Sequence, residues 1–207
     1  MKLFFQYCSY GFSNSYILGT ENADAGNRNS AILIDPGSIE KIAIDVIESN
    51  NFDLKAVLIT HDHLSHVRGL RTLKRIYNVD IFAVNQTIMD YKTIMIKDGD
   101  ILDVAGFNAE VISIPGHSSD SVVYRIGDLL FTGDALTAGL VGSTASAYGA
   151  ATQMNKLRSR LISLPSDYTV LPGHGPPSTL EAERRFNTDI FYYDQNRSKK
   201  PAFRVEF

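Results

Sequence analysis

The sequence has a single cysteine, no excess of basic residues and no long apolar run, and each absence excludes a class of protein. Cys8 stands alone among 207 residues, so no disulfide can form within the chain, as is typical of proteins from a reducing compartment. The 20 lysines and arginines are outnumbered by 23 aspartates and glutamates. Nucleic acid, which proteins bind mainly through Lys and Arg on phosphates, is therefore not an expected partner.

The N-terminus carries no recognisable targeting segment. Lys2 precedes only Leu3-Phe4-Phe5 before the polar Gln6, which is too short for the apolar core of a signal peptide. No apolar run approaches the roughly 20 residues that a membrane helix requires. We therefore expect a cytoplasmic protein that acts on a small molecule and has no membrane partner, as a monomer or a homodimer.

Length and patterning predict one α/β domain over residues 1–207. The hydrophobic fraction of 44% is sufficient for one well-buried core. Period-two and period-3.6 patterns alternate along the chain, and residues 135–151 have no clear pattern. Strands are predicted at residues 2–7, 14–19, 31–34, 54–59, 80–84, 101–104, 107–114, 121–126, 129–132 and 169–171. Helices are predicted at residues 39–49, 67–76, 86–91, 154–164 and 179–193.

All five histidines lie in three short, distinctive loops. Three occur within six residues after an apolar strand, and the other two each follow a Pro-Gly pair. A lone buried histidine usually hydrogen-bonds to the backbone, but three in one loop would require three such coincidences. Neutral imidazole is the commonest protein ligand for zinc and related metals. The pattern therefore indicates a metal site.

In order and spacing these motifs resemble the metallo-β-lactamase superfamily, and in particular its small glyoxalase-II-like hydrolases. The resemblance extends over about residues 3–190, and it implies an αββα four-layer sandwich. The matching segments are Thr60-His61-x-His63-x-x-His66, Pro115-Gly116-His117, Gly133-Asp134 and Gly173-His174-Gly175, with Asn14-Ser15-Tyr16 and Asp35-Pro36-Gly37 earlier in the chain.

The resemblance also implies two sets of metal ligands. Zinc is the expected metal, as one or two ions, with iron and manganese as the alternatives. Bound zinc lowers the pKa of water to about 7 and so provides hydroxide at neutral pH. The first set is His61, His63 and His117, and the second is His66, His174 and a bridging Asp134.

One residue departs from the family pattern, at the centre of the main motif. The family has His-x-His-x-Asp-His, whereas Ser65 occupies the aspartate position here. A serine hydroxyl is neutral and is not among the usual zinc ligands. The second metal position would therefore lose one ligand and one negative charge, and we expect it to bind its ion more weakly.

Three further residues are candidates for supporting roles. Asp62 is the acid nearest to Ser65 and is a candidate catalytic residue, the alternative being a solvated loop acid. Asp35 in the family would support the metal loop from behind, the alternative being an aspartate that stabilises its own turn. Tyr148 is the one large side chain in the unpatterned stretch before residue 151 that could contact a substrate, the alternative being a surface tyrosine.

Three functions follow from the resemblance. The first is a metal-dependent hydrolase that directs a metal-bound hydroxide at a small thioester, ester or lactone. The second is a mononuclear iron sulfur (persulfide) dioxygenase of the same fold, with His61, His117 and Asp134 as the two-histidine, one-carboxylate set of non-haem iron. The third is a metal-binding protein whose catalysis is impaired by Ser65.

The basic, aromatic tail after Asp194 is either a partner contact or a solvated chain end.

Overall fold

The computed structural model describes residues 1–21 and 27–195, so the basic tail beyond them lies outside the described chain. The first half forms a six-stranded sheet in the order β1-β2-β3-β4-β5-β8, antiparallel from β1 to β3 and parallel from β3 onward. Its elements are β1 (Lys2–Tyr7), β2 (Asn14–Gly19), β3 (Asn29–Ile34), α1 (Lys41–Ser49), β4 (Phe52–Leu58), α2 (Leu64–Val67), α3 (Leu70–Ile76), β5 (Asp80–Ala83), β6 (Thr87–Ile88), β7 (Tyr91–Lys92) and β8 (Ile94–Met95).

The second half forms another six-stranded sheet, in the order β16-β15-β12-β11-β10-β9, in which β12 and β15 are parallel. A π-helical turn, Arg158–Ile162, continues directly from α4. The elements are β9 (Ile101–Val104), β10 (Phe107–Ser113), β11 (Val122–Ile126), β12 (Leu129–Gly133), β13 (Leu136–Thr137), β14 (Leu140–Val141), α4 (Ala147–Leu157), β15 (Thr169–Pro172), β16 (Ser178–Thr179), α5 (Leu180–Phe186) and α6 (Thr188–Gln195).

The strands bury both faces, which places the core in three layers. Tyr16 and Leu18 of β2 point into a cluster shared by the two sheets. Ile17, between them, points the other way onto α1, α2 and α3, as the period-two alternation of strand side chains requires. The second sheet likewise packs its outer face against α4 and α5. The predicted αββα four-layer sandwich is confirmed.

Several predicted boundaries are wrong for local reasons. Residues 86–91 form a hairpin instead of a helix, because Met89 and Asp90 adopt positive φ and turn the chain. The helix predicted from residue 154 begins at Ala147, where the Ser146 hydroxyl accepts a hydrogen bond from the Gly149 N–H and caps it. The helix predicted over residues 179–193 breaks at Asn187, whose backbone is extended.

Strand ends from both sheets meet at one edge of the sandwich. The loop after β4 follows Ile59, whose carbonyl accepts a hydrogen bond from the buried Tyr124 hydroxyl of the other sheet at 2.8 Å. The loop after β15 is fastened to the first sheet by Asn14, whose side-chain amide donates to the Pro172 carbonyl at 2.9 Å. No helix of the described residues is long and apolar enough to span a membrane.

Candidate metal centre

At this edge the structure brings together the six side chains that the sequence motifs single out. They form two groups, within each of which all candidate ligand atoms lie within 4.8 Å of one another. Asp134 belongs to both groups. The first group is His61, His63, His117 and Asp134, and the second is His66, Asp134 and His174.

In the first group the ring nitrogens of three histidines converge on one point. His63 Nδ1 lies 3.0 Å from both His61 Nε2 and His117 Nε2. The other ring nitrogen of His117 donates to the Ser143 carbonyl at 2.8 Å, so its Nε2 carries no proton in the neutral ring. One hydrogen on His63 Nδ1 cannot form hydrogen bonds to both of the neighbouring ring nitrogens. The three nitrogens are therefore better suited to binding a cation.

Asp35 orients two of the histidines from behind. Its Oδ2 accepts from the Thr60 hydroxyl at 2.6 Å and from His66 Nδ1 at 3.0 Å. Because the Thr60 hydroxyl donates to Asp35, its oxygen can accept from His61 Nδ1, 3.1 Å away. Both rings consequently direct Nε2 into the centre, the arrangement by which carboxylates fix the tautomer of metal-binding histidines.

Asp134 lies between the two groups. Its Oδ2 is 3.7 Å from His61 Nε2, 3.4 Å from His66 Nε2 and 3.5 Å from His117 Nε2. Its Oδ1 lies 2.7 Å from His174 Nδ1, and the opposite ring nitrogen donates to the Gly11 carbonyl at 3.0 Å. One carboxylate thus faces both sets of nitrogens, as a ligand bridging two ions would.

The pKa values of the histidines are shifted in opposite directions in the two groups. Burial, with repulsion from His66, lowers the pKa of His61 to about 2, and burial with repulsion from His117 also lowers that of His63. In the second group burial opposes charge on His66, but Asp35 and Asp134 outweigh it and raise its pKa to about 10. The hydrogen bond to Asp134 likewise raises the pKa of His174. His61 and His63 are therefore neutral at pH 7, whereas their surroundings favour the protonated forms of His66 and His174.

The carboxyl group of Asp134 stays ionised in this environment. Burial would raise its pKa, but the hydrogen bond from His174 and the nearby His66 ring, 3.4 Å away, hold it well below the ordinary value. His66 Nε2 is buried and has no hydrogen-bond partner among the described residues. A buried polar atom without a partner is costly, and a metal ion that replaced the proton of His66 and was also held by Asp134 would satisfy it. The donor set of imidazoles and one carboxylate fits zinc.

Ser65 lies beside the second group, against the β1–β2 loop. A methyl group placed on Gly11 would come within 2.6 Å of Ser65 Cβ, and the same Gly11 offers its carbonyl to His174. The Ser65 carbonyl accepts from the Ser13 hydroxyl at 2.5 Å. The serine therefore adds a neutral, compact side chain at this point, without a negative charge to complement a second ion.

Asp62 lies outside the six-residue cluster, and its backbone N–H donates to Asp120 Oδ2 at 2.9 Å. Asn85 donates to the same Asp120 oxygen at 3.1 Å. Burial, together with the charge of Asp120, raises the pKa of Asp62. Sequence reasoning did not find Asp120 or Asn85, because only the fold brings their loops to the histidines.

Tyr148 lies on α4 with 82% of its surface exposed, and its contact with a substrate stays a prediction.

Comparison with known proteins identifies the family. The model of the Metallo-beta-lactamase superfamily matches residues 9–174. Hydroxyacylglutathione hydrolase GloC of Haemophilus influenzae is 29% identical, with 78% of this chain and 87% of that protein covered. A probable polyketide biosynthesis zinc-dependent hydrolase, BaeB of Bacillus velezensis, is 30% identical, with 86% and 83% covered.

The fold gives the same result. The crystal structure of ETHE1 from Myxococcus xanthus superposes with a TM-score of 0.77 at 25% identity, covering 98% of this chain and 93% of that one. The strand-end loops that carry the histidines fall within the matched residues 9–174. This chain belongs to the metallo-beta-lactamase superfamily.

Proposed function

We propose that the protein is a metal-dependent hydrolase of small thioesters, esters or lactones. The observation that carries the proposal is the position of Asp134, which faces His61, His66 and His117 through one oxygen and His174 through the other. A carboxylate shared by two sets of imidazoles is suited to holding the metal of a hydrolytic site. The two relatives from Haemophilus influenzae and Bacillus velezensis are both named as hydrolases.

The proposed ligands are the six residues of the two groups, with zinc as the proposed metal. When bound, such a metal supplies a Lewis acid and a water of lowered pKa. The protein contributes the orientation of the rings: Asp35 and Thr60 hold His61, and Asp35 holds His66. Fixing the ligands in advance limits the reorganisation needed when substrate charge develops.

The test of this proposal is a substrate panel. Purified, zinc-loaded protein is incubated with thioesters, simple esters and lactones, and release of thiol or acid is followed by absorbance. We expect turnover of at least one thioester or lactone above the rate of chelated protein. Failure across the whole panel with metal bound would contradict the hydrolase proposal and would favour a metal-binding protein whose turnover is impaired by Ser65.

A second candidate function is favoured by the neutral side chain at Ser65. A mononuclear iron sulfur dioxygenase would need His61, His117 and Asp134, and it would not need an acid at position 65. The 3.5 Å separation of His117 Nε2 from Asp134 Oδ2 leaves these ligand atoms close enough to share an ion. Elemental analysis separates the candidates, and uptake of oxygen with a glutathione persulfide would establish the second.

Replacing Ser65 with aspartate is expected to raise the metal content toward two ions per chain. The carboxylate would restore the ligand that the second position lacks, and added negative charge strengthens binding of a dication. The measurement is zinc per chain by mass spectrometry after dialysis against limiting zinc. Ser65→Asn, which is similar in size but neutral, is the control. Equal zinc content in the aspartate variant and the wild type would show that the serine does not limit occupancy.

Binding of a second metal ion is expected to weaken more steeply than binding of the first as the pH falls from 8 to 6. The pKa of His66 is raised to about 10 and that of His174 is also raised, so protons compete with metal at the second group. This competition costs up to about tenfold in affinity per proton and pH unit. His61 and His63, with lowered pKa values, are already neutral. Calorimetric zinc titrations at pH 6, 7 and 8 test this, and equal pH dependence of both ions would contradict it.

We also propose that Asp62 accepts a proton during turnover. Its pKa is raised by burial and by Asp120, which brings a carboxylate closer to the pH at which it can act as a base. Asp62→Ala is expected to lower the hydrolytic rate by about a hundredfold without changing the metal content. A variant with wild-type rate and metal content would show that Asp62 is a solvated loop acid.

A further inference from the structure

Gln153 of α4 is buried close to the metal centre without being one of the proposed ligands. Its side chain is 0% exposed, although glutamine is usually found at the surface. The side-chain amide donates to the Ala135 carbonyl at 3.0 Å and to the Gly142 carbonyl at 3.2 Å. Because carbonyl oxygens only accept, these two bonds fix which end of the amide carries the nitrogen. Gln153 is therefore a buried double donor that ties two backbone segments to α4.

The two carbonyls lie at the two ends of the β13–β14 hairpin. Ala135 directly precedes β13, and Gly142 directly follows β14. The hairpin itself joins these residues by one backbone bond, from the Gly142 N–H to the Ala135 carbonyl at 3.3 Å. The Gln153 amide joins the same two ends a second time, from a helix. The distance between the hairpin ends is thus fixed by one side chain as well as by the hairpin.

Each end of the hairpin leads directly to a proposed metal ligand. Ala135 follows Asp134, the carboxylate that both groups share. Gly142 precedes Ser143, whose carbonyl accepts from His117 Nδ1 at 2.8 Å. This bond turns the opposite nitrogen of the His117 ring toward Asp134, with Nε2 lying 3.5 Å from Oδ2. The spacing of these two ligands therefore depends on the distance at which Ala135 and Gly142 are held.

The same side of α4 also packs against the loop that carries His117. Gly149 and Gln153 are four residues apart and so lie on one side of the helix. A methyl group placed on Gly116 would come within 2.4 Å of Gln153 Cβ and 2.6 Å of the Gly149 carbonyl. The backbone of the His117 loop therefore lies directly on the helix, and a shift at Gln153 would displace the residue that precedes His117.

The oxygen of the Gln153 amide gains nothing from this position. Oε1 is buried and has no hydrogen-bond partner among the described residues, which costs free energy. Methionine, an apolar side chain of nearly the same length, would fill this space without that cost. The two bonds donated by Nε2 are therefore what glutamine contributes here and an apolar side chain does not.

We propose that Gln153 is a positioning residue, which sets the separation of Asp134 and His117 by holding the ends of the β13–β14 hairpin together. It acts through Ala135 and Gly142, the backbone neighbours of the segments that carry and orient these ligands. Groups that support metal ligands in this way commonly decide metal affinity. The inference rests on the proposed metal-dependent function and adds to it a residue outside the ligand set.

The experiment compares Gln153→Met and Gln153→Glu, which both remove the amide donor and approximately keep the length of the side chain. Zinc affinity is measured by competition with a chromophoric chelator, which requires no turnover. We expect it to fall by about 10- to 100-fold in both variants, as when other groups behind metal ligands are removed. With cobalt(II) in place of zinc, we expect the visible absorption spectrum to change, because it depends on the number and geometry of the ligands.

Leu157→Ala on the same helix separates positioning from a general loss of stability. Leu157 is 0% exposed and packs in the core on the outer face of the second sheet, so its truncation leaves a cavity and lowers the urea midpoint. We expect its zinc affinity and cobalt spectrum to match those of the wild type. If Gln153 only fills space, Gln153→Met will also keep the wild-type affinity and spectrum, and that result would overturn the inference.

A measurement on chelated protein separates failure of this inference from failure of the proposed function. At a pH where the His117 ring is neutral, nitrogen-15 NMR of the wild type is expected to show its proton on Nδ1, which donates to the Ser143 carbonyl. In Gln153→Met we expect a mixture of the two tautomers, because that carbonyl is no longer held in place. Such a mixture would support the inference even if no substrate is hydrolysed. The wild-type tautomer together with wild-type zinc affinity in Gln153→Met would contradict it even if hydrolysis is observed.

Discussion

Asp134→Asn is expected to reduce kcat/KM for thioester hydrolysis by about a thousandfold or more, because a metal site contributes several kcal/mol to such a reaction. Asp134 is the only carboxylate in either group of proposed ligands. Its replacement removes the negative charge that faces four imidazoles and leaves a neutral amide between them. Retention of zinc should fall with the activity, and both are measured on the same preparation.

The asparagine variant is expected to fold, which makes its loss of activity informative. The amide keeps the size of the carboxyl group, and the two sheets do not depend on Asp134 for their packing. Asp45→Asn on α1, an exposed residue paired with Lys41, is the control for the change in net charge. Wild-type activity and zinc content in Asp134→Asn would contradict the assignment of this residue as the shared ligand.

The second large effect is expected from Asp35→Asn, which alters no proposed ligand. Asp35 is 2% exposed, and its Oδ1 accepts from the Thr60 N–H at 2.8 Å while Oδ2 accepts from the Thr60 hydroxyl and His66 Nδ1. Asparagine must turn its NH₂ group toward one of these donors. We expect zinc affinity to fall by about 10- to 100-fold, as when other carboxylates behind metal ligands are removed.

The same change is expected to lower the free energy of unfolding of metal-free protein by about 1–3 kcal/mol, since at least one buried donor loses its acceptor. Zinc affinity is measured by competition with a chromophoric chelator, and stability by urea unfolding of the chelated protein. If Asp35 only stabilises its own turn, the variant will lose stability while its zinc affinity matches that of the wild type. That result would remove Asp35 from the support of the metal centre.

The strands could be predicted because their evidence is local, whereas the four-layer sandwich was implied only by the family resemblance. β4 and the β11–β12 hairpin are apolar runs bounded by turn residues, and the structure has them close to the predicted positions. The helix expected over residues 86–91 was wrong because the positive φ values of Met89 and Asp90 leave no signal in apolar periodicity. The early start of α4 could have been found from Ser146, which is a favoured capping residue.

Some residues of the candidate site could be predicted from local motifs, and others could not. The histidines and Asp134 could be predicted because their loops carry dense, ordered motifs. Asp120 and Asn85 could not, since their relation to Asp62 arises only when the loops after β5 and β10 meet the histidine loop.

The most direct test is a zinc titration of fully chelated protein in which thioester hydrolysis and bound zinc are recorded together. We predict no turnover in the metal-free protein, and recovery that saturates at one or two zinc ions per chain. Turnover that persists undiminished once the metal has been removed would contradict the account, because the side chains gathered around Asp134 would then have no metal to hold during the reaction.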